Sequence, residues 1–127
     1  MKRNWVAALL VLALLFLISN TAVAENLIVR FLDVGQADAA ILECGGEVMM
    51  IDGGGRADSS LIYSVLSNTL GIAHIDCMIA THPHEDHVGG LSAALNACSV
   101  GRIYSPVKRW DSKTFSSFVK YAQEQGL

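Results

Sequence analysis

The 127-residue sequence lacks a C-x-x-C motif, internal repeats and an apolar run of about twenty residues, and each absence argues against a class of protein. Its three cysteines, Cys44, Cys77 and Cys98, show no C-x-x-C spacing, so neither a thiolate metal knuckle nor a dithiol redox site is written here. An odd number leaves at least one thiol unpaired, and no disulfide is drawn from them. Cys44 and Cys77 lie in apolar, strand-like runs and are expected to be small buried side chains. No repeat or low-complexity linker points to a solenoid or a disordered array.

The longest apolar run, Trp5 to Ile18, would rise about 21 Å as a helix, short of the roughly 30 Å hydrocarbon core. Lys2 and Arg3 precede it and Ala22-Val23-Ala24 closes it, the layout of a secretory signal peptide over residues 1–24. A cleaved signal is favoured over an anchor, so the protein is expected to be secreted or extracytoplasmic. Any membrane contact would then come only through that segment, if it stayed uncleaved. No cysteine follows the run, which argues against a lipid-modified start.

Residues 25–127 make one small domain, whose formal charge falls from −3 to −5 once Lys2 and Arg3 are removed. "LIVRFLDV", "DAAILEC" and "EVMMID" read as three strands of an antiparallel meander, the last two joined by Gly45-Gly46, a hairpin signal. Gly53 to Gly55 end the third strand. "DSSLIYSVLSNTLG" then spaces Leu61, Ile62, Val65, Leu66 and Leu70 on one helix face, with Asp58 or Ser59 as N-cap and Gly71 as stop. "IDCMIAT" reads as a short strand covered on both faces, "LSAALNA" as a helix, "RIYSPV" as a strand and "TFSSFVKYAQEQG" as an amphipathic helix. The predicted class is α/β, a meander followed by helix-strand units.

Chemistry concentrates in "THPHEDHVGG", where three of the four histidines stand within six residues. Pro83 biases His82 away from helical backbone, which makes "HEDH" a poor match to the helical H-E-x-x-H protease motif. In an extended segment residues two apart share a side, so His82 and His84 can hold one metal ion, while Asp86 and His87 face a second. Imidazole with carboxylate suits zinc, and also manganese or iron. Two divalent ions about 3.5 to 4 Å apart could share a bridging hydroxide and clamp a phosphoryl or acyl oxygen. Gly89 and Gly90 let the following helix start tight against this loop, its first amides aimed at a bound anion. A solvated polar loop is the bland alternative. His74, with no partner in sequence, reads as a surface or capping residue.

These residues resemble the metallo-β-lactamase fold hydrolases. "THPHEDH" is similar to their H-x-H-x-D-H metal loop, and "MMIDGG" to the strand whose final aspartate supports it. "FLDVGQADAAIL" resembles the D-V-G-Q-G-D-A opening of the branch that holds the C-terminal domain of ComEC-type DNA-uptake proteins and secreted phosphorylcholine esterases, with Ala37 in place of a glycine. The resemblance implies that His82 and His84 bind the first metal and Asp86 and His87 the second. It implies that Asp52 orients the loop from behind the ligands, and that Asp86 is catalytic, positioning the attacking hydroxide. Asp33, Gln36 and Asp38 are expected near the site, although turn-making accounts for them equally well.

The resemblance also implies a four-layer αββα sandwich of roughly twice this length, with further ligands in its later half. No histidine follows His87, and Asp111 does not fit the bridging position. Residues 25–127 are therefore expected to be the N-terminal half of the fold, truncated at the C-terminus. Its sheet would keep one bare apolar face, open to self-association.

Arg102, Lys108, Arg109, Lys113 and Lys120 face only Asp111 over residues 102–120, which favours a phosphodiester or nucleic-acid substrate if they lie near the site. A solvated helix face explains them as well, and no aromatic pattern supports single-strand binding. The leading expectation is an exported metal-dependent hydrolase, phosphodiesterase or nuclease-like. The alternative, of another class, is a non-catalytic remnant or binding module with an incomplete metal site. A β-lactam substrate is disfavoured by the D-V-G-Q opening.

Overall fold

A computed structural model describes residues 25–127, and the expected signal segment lies outside the described residues. No helix among the described residues is long and apolar enough to cross a membrane. The chain opens with β1 (Ile28–Phe31), β2 (Ala40–Cys44) and β3 (Glu47–Ile51), paired antiparallel in sequence order. Gly45 and Gly46 both hold positive φ, 60° and 83°, the left-handed backbone that a two-residue hairpin turn requires.

After β3 the chain switches to helix-strand units. A 3-10 turn (Arg56–Asp58) leads into α1 (Ser59–Ser64), which widens into a π turn over Val65–Thr69. The expected N-cap works one turn earlier than sequence suggests, since the Asp58 carboxylate accepts from the Gly55 amide at 2.8 Å and closes the 3-10 turn. β4 (His74–Ile75) and β5 (Cys77–Ile79) follow, then α2 (Glu85–Val88), α3 (Leu91–Ala97), β6 (Ser99–Val100), β7 (Ile103–Tyr104) and α4 (Lys113–Glu124). The Ser112 hydroxyl caps α4 by accepting from the Phe115 amide at 3.0 Å.

The main sheet runs β1-β2-β3-β5-β7, with β3, β5 and β7 parallel, and β4 pairs β6 in a small second sheet. His74 belongs to that second sheet, its Nδ1 2.8 Å from the Ser99 hydroxyl, a local tie as expected. One register row, Ile41-Met50-Met78, is fully buried. Ile62, Leu66, Leu91, Leu95, Phe115 and Phe118 of the helices join it in one core. Full burial of such side chains stabilises by about 1.5–3 kcal/mol each.

The opposite sheet face has no helical layer among the described residues. There Phe31 is 83% exposed and Val29 and Tyr104 are exposed, while Leu42, Met49, Ile51 and Ile79 are only partly covered. This corrects two expectations. β5 is covered on one face rather than both, and Cys44 is exposed with Cys77 half-buried, because both alternate onto the open face. Cys98 is the buried thiol, donating to the Ile72 carbonyl at 3.0 Å, and burial pushes its pKa up.

Two outcomes follow from this layering. Met78→Ala should cost about 2–5 kcal/mol in denaturant unfolding, whereas Phe31→Ser should stay within about 0.5 kcal/mol. In alkylation at pH 8 followed by mass spectrometry, Cys44 should react first and Cys98 last, because burial disfavours the Cys98 thiolate and blocks access.

Candidate metal centre

Parallel pairing brings the C-terminal ends of β3, β5 and β7 to one edge of the sheet, where open α/β sheets place their ligands. Asp52 follows β3, the histidine loop follows β5, and residues 105–112 follow β7. The three segments meet because their strands are neighbours, although they are separated by tens of residues in sequence.

Asp52 is 2% exposed and holds φ 54°, a left-handed conformation that aspartate tolerates better than most residues. Such a position costs on the order of 1–3 kcal/mol. Three polar contacts offset it. The carboxylate accepts from the Thr81 amide at 2.8 Å and the Thr81 hydroxyl at 2.6 Å, and His87 Nδ1 lies 2.8 Å from Oδ2.

These contacts assign protons on two rings. A carboxylate only accepts, so His87 carries a hydrogen on Nδ1, and it is Nε2 that the neutral ring offers to a metal. Thr81 gives its only hydroxyl hydrogen to Asp52. The contact from its oxygen to His82 Nδ1, at 3.1 Å, is therefore donated by His82, whose Nε2 is also left free. One buried carboxylate thus turns two imidazoles into ligands of the same tautomer, the arrangement found behind metal-bound histidines.

His84 ends the extended segment as the N-cap of α2, with φ −71° and ψ 155°, as Pro83 and the spacing suggest. The His82 and His84 ring centroids lie 4.9 Å apart and those of His82 and His87 3.6 Å. Ligand atoms of His82, His84 and Asp86 all fall within 4.8 Å of one another, and Asp86 Oδ2 is 3.7 Å from His87 Nε2. Asp86 therefore stands between the His82–His84 pair and His87 rather than with His87 alone. Nitrogen and carboxylate donors at these separations fit a divalent ion such as zinc.

The scaffold behind the loop is backbone packed on backbone. The Gly53 amide donates to the His87 carbonyl at 2.7 Å and the Gly90 amide to the Gly54 carbonyl at 3.2 Å. A Cβ on Gly90 would stand 2.0 Å from the Gly53 oxygen, and one on Gly89 2.3 Å from the Arg56 nitrogen, so no larger residue fits. The tight start of α3 is as expected, and the two glycine amides just before it are already engaged. The Gly89 and Gly90 amides are taken by the Glu85 and Gly54 carbonyls.

Of the three residues in the opening loop, Asp38 reaches the site. Its amide meets the Asp86 carbonyl at 3.3 Å and its Oδ2 lies 3.7 Å from His87 Nδ1. Asp33 makes a turn, accepting from the Gly35 amide at 3.4 Å. Sequence reasoning missed Thr81, whose hydroxyl links Asp52 to His82 by hydrogen bonds. It also missed Glu85, whose carboxylate accepts from the Arg56 amide at 2.6 Å and pins the glycine loop to the metal loop. Trp110 was missed too, its ring centroid 5.7 Å from that of His84. Nothing local marks these three, because each acts across strands.

The fold and the histidine-carboxylate group together define a mixed α/β scaffold with a candidate metal site at one sheet edge. The chain belongs to the metallo-beta-lactamase superfamily, whose family model matches residues 32–124. Among solved structures it is similar to a metallo-β-lactamase from Hirschia baltica, at 18% identity and TM-score 0.41, over 83% of this chain and 49% of that one. FIM-1 from Pseudomonas aeruginosa in its mono-zinc form gives the same identity and TM-score, over 83% and 48%. A metallo-β-lactamase from Erythrobacter litoralis with β-mercaptoethanol in its active site gives 19% and 0.37, over 85% and 45%. The chain spans about half the length of these solved structures. No curated protein matches it.

Replacing Asp52 with alanine frees both ring tautomers, so zinc affinity measured against a chromophoric chelator should fall about 10–100-fold. Thr81→Val removes the link to His82 alone and should give a smaller loss in the same titration.

Proposed function

We propose that this chain carries the metal-binding part of an exported hydrolase that cleaves phosphodiesters, of the branch that includes the ComEC-type domains. The convergence of His82, His84, Asp86 and His87 on one edge, with two rings presenting Nε2, carries the reading. The opening "FLDVGQADAAIL" supports the branch, and the layout of residues 1–24 supports export.

In this reading His82 and His84 hold one ion, His87 a second, and Asp86 stands where it can serve either. Divalent ions bound there supply Lewis acidity and generate a nucleophile from water at neutral pH. The chain's residues do the rest. Asp52 keeps the Nδ1 protons of His87 and, through Thr81, of His82 in place, so both rings stay oriented. The Asp86 carboxylate, about half exposed, accepts a hydrogen bond from the attacking water and aligns it on the phosphorus. The cationic segment after β7 offsets the charge of the phosphodiester.

A second reading, a non-catalytic binding module, is favoured by the uncovered apolar sheet face. It expects weak metal binding and no turnover, and zinc-restored hydrolysis of a phosphodiester by the purified chain excludes it.

For the hydrolase reading, His84→Ala and Asp86→Ala should each lower zinc-dependent cleavage of bis-p-nitrophenyl phosphate by about 100-fold or more, as loss of a directly acting group does. Undiminished metal-dependent turnover in both variants would remove these residues from the mechanism.

A further inference from the structure

We infer that the surface beside the histidine loop is a binding groove for single-stranded nucleic acid, with Trp110 as the platform on which an unpaired base stacks. The inference rests on the phosphodiesterase reading and specifies its substrate.

Three observations carry it. Trp110 is 46% exposed, large and apolar, yet it stands beside His84 with its ring tilted 55° to the imidazole rather than folded into the core. Trp110 also lines a hollow of about 310 Å3 with Lys108, Arg109, Lys120 and the buried Phe115, so three cations share a groove whose exposed aromatic edge is the indole beside His84. Finally, β7 is the parallel neighbour of β5, which explains why a segment so far along the chain lies beside the loop.

Charge makes the groove selective for a polyanion. Among the described residues neither Lys108 nor Arg109 forms an ion pair, and Lys120 pairs only with Glu124, at 3.7 Å on the exposed side of α4. Asp111 is the one carboxylate within the segment. A strand running through the hollow places its phosphates against Lys108, Arg109 and Lys120, and a base on the exposed indole face. The next phosphodiester then lies toward His84. A duplex, whose bases are stacked on one another, has no face to offer Trp110, so the groove discriminates for single strands.

The test measures binding apart from hydrolysis. Fluorescence anisotropy of a labelled oligothymidine strand is followed with the full chain in EDTA, where no metal-dependent cleavage occurs. Trp110→Ala should raise the dissociation constant about tenfold, with Trp110→Phe recovering most of the loss. The double substitution of Lys108 and Arg109 by alanine should weaken binding and flatten its salt dependence. Wild-type affinity in Trp110→Ala, or equal affinity for a duplex of the same sequence, overturns the inference. Cleavage of bis-p-nitrophenyl phosphate separates the two readings. If it persists while strand binding is absent, the groove is wrong and the hydrolase reading stands. If strand binding is as described but no phosphodiester is cleaved, the groove stands and the hydrolase reading fails.

Discussion

The carboxylate of Asp52 is the point on which the site depends. It is buried, it sits in left-handed backbone at the end of β3, and its two oxygens reach the Thr81 amide, the Thr81 hydroxyl and His87 Nδ1. A carboxylate removed from water must be compensated by donors, and here all the donors come from the loop it organises. Backbone strain, burial and ring tautomers are thus a single arrangement. Moving any one of them undoes the others.

Around that point the fold supplies rigidity through close contact of main chains. Gly53 to Gly55 lie against Gly89 and Gly90, and Glu85 closes the far side through the Arg56 amide. Buried methionine and isoleucine side chains of the central strands anchor the sheet beneath, with helices packed on that face. The same sheet presents an apolar surface on its other side, so the strands that hold the metal loop are stabilised from one direction.

Much of this was legible in sequence wherever a local rule operates. The hairpin at Gly45-Gly46, the α3 segment "LSAALNA" and the amphipathic helix "TFSSFVKYAQEQG" all fall where turn chemistry and periodicity put them. Pro83 and the spacing correctly indicated that His82 and His84 lie off the helix, His82 in a bend and His84 extended at the N-cap of α2. Misreadings arose where a face or a distant strand decides. Cys44 and Cys77 look buried because their runs are apolar, yet alternation turns them to the open side. The Gly89 amide is taken by the Glu85 carbonyl of α2 and the Gly90 amide by Gly54 of the glycine loop after β3, a pairing no local rule marks. Trp110 carries no mark of its nearness to His84, which follows only from β7 lying next to β5.

The central claim is that Asp52 sets the tautomers of His87 and His82 so that both present Nε2 to a divalent ion. Long-range proton-nitrogen correlation NMR of the histidine rings, recorded before and after adding zinc, tests it directly. The account predicts Nδ1-protonated rings for both residues before zinc and a shift of both Nε2 resonances upon zinc addition. Nε2-protonated rings, or Nε2 resonances that ignore zinc, would contradict it.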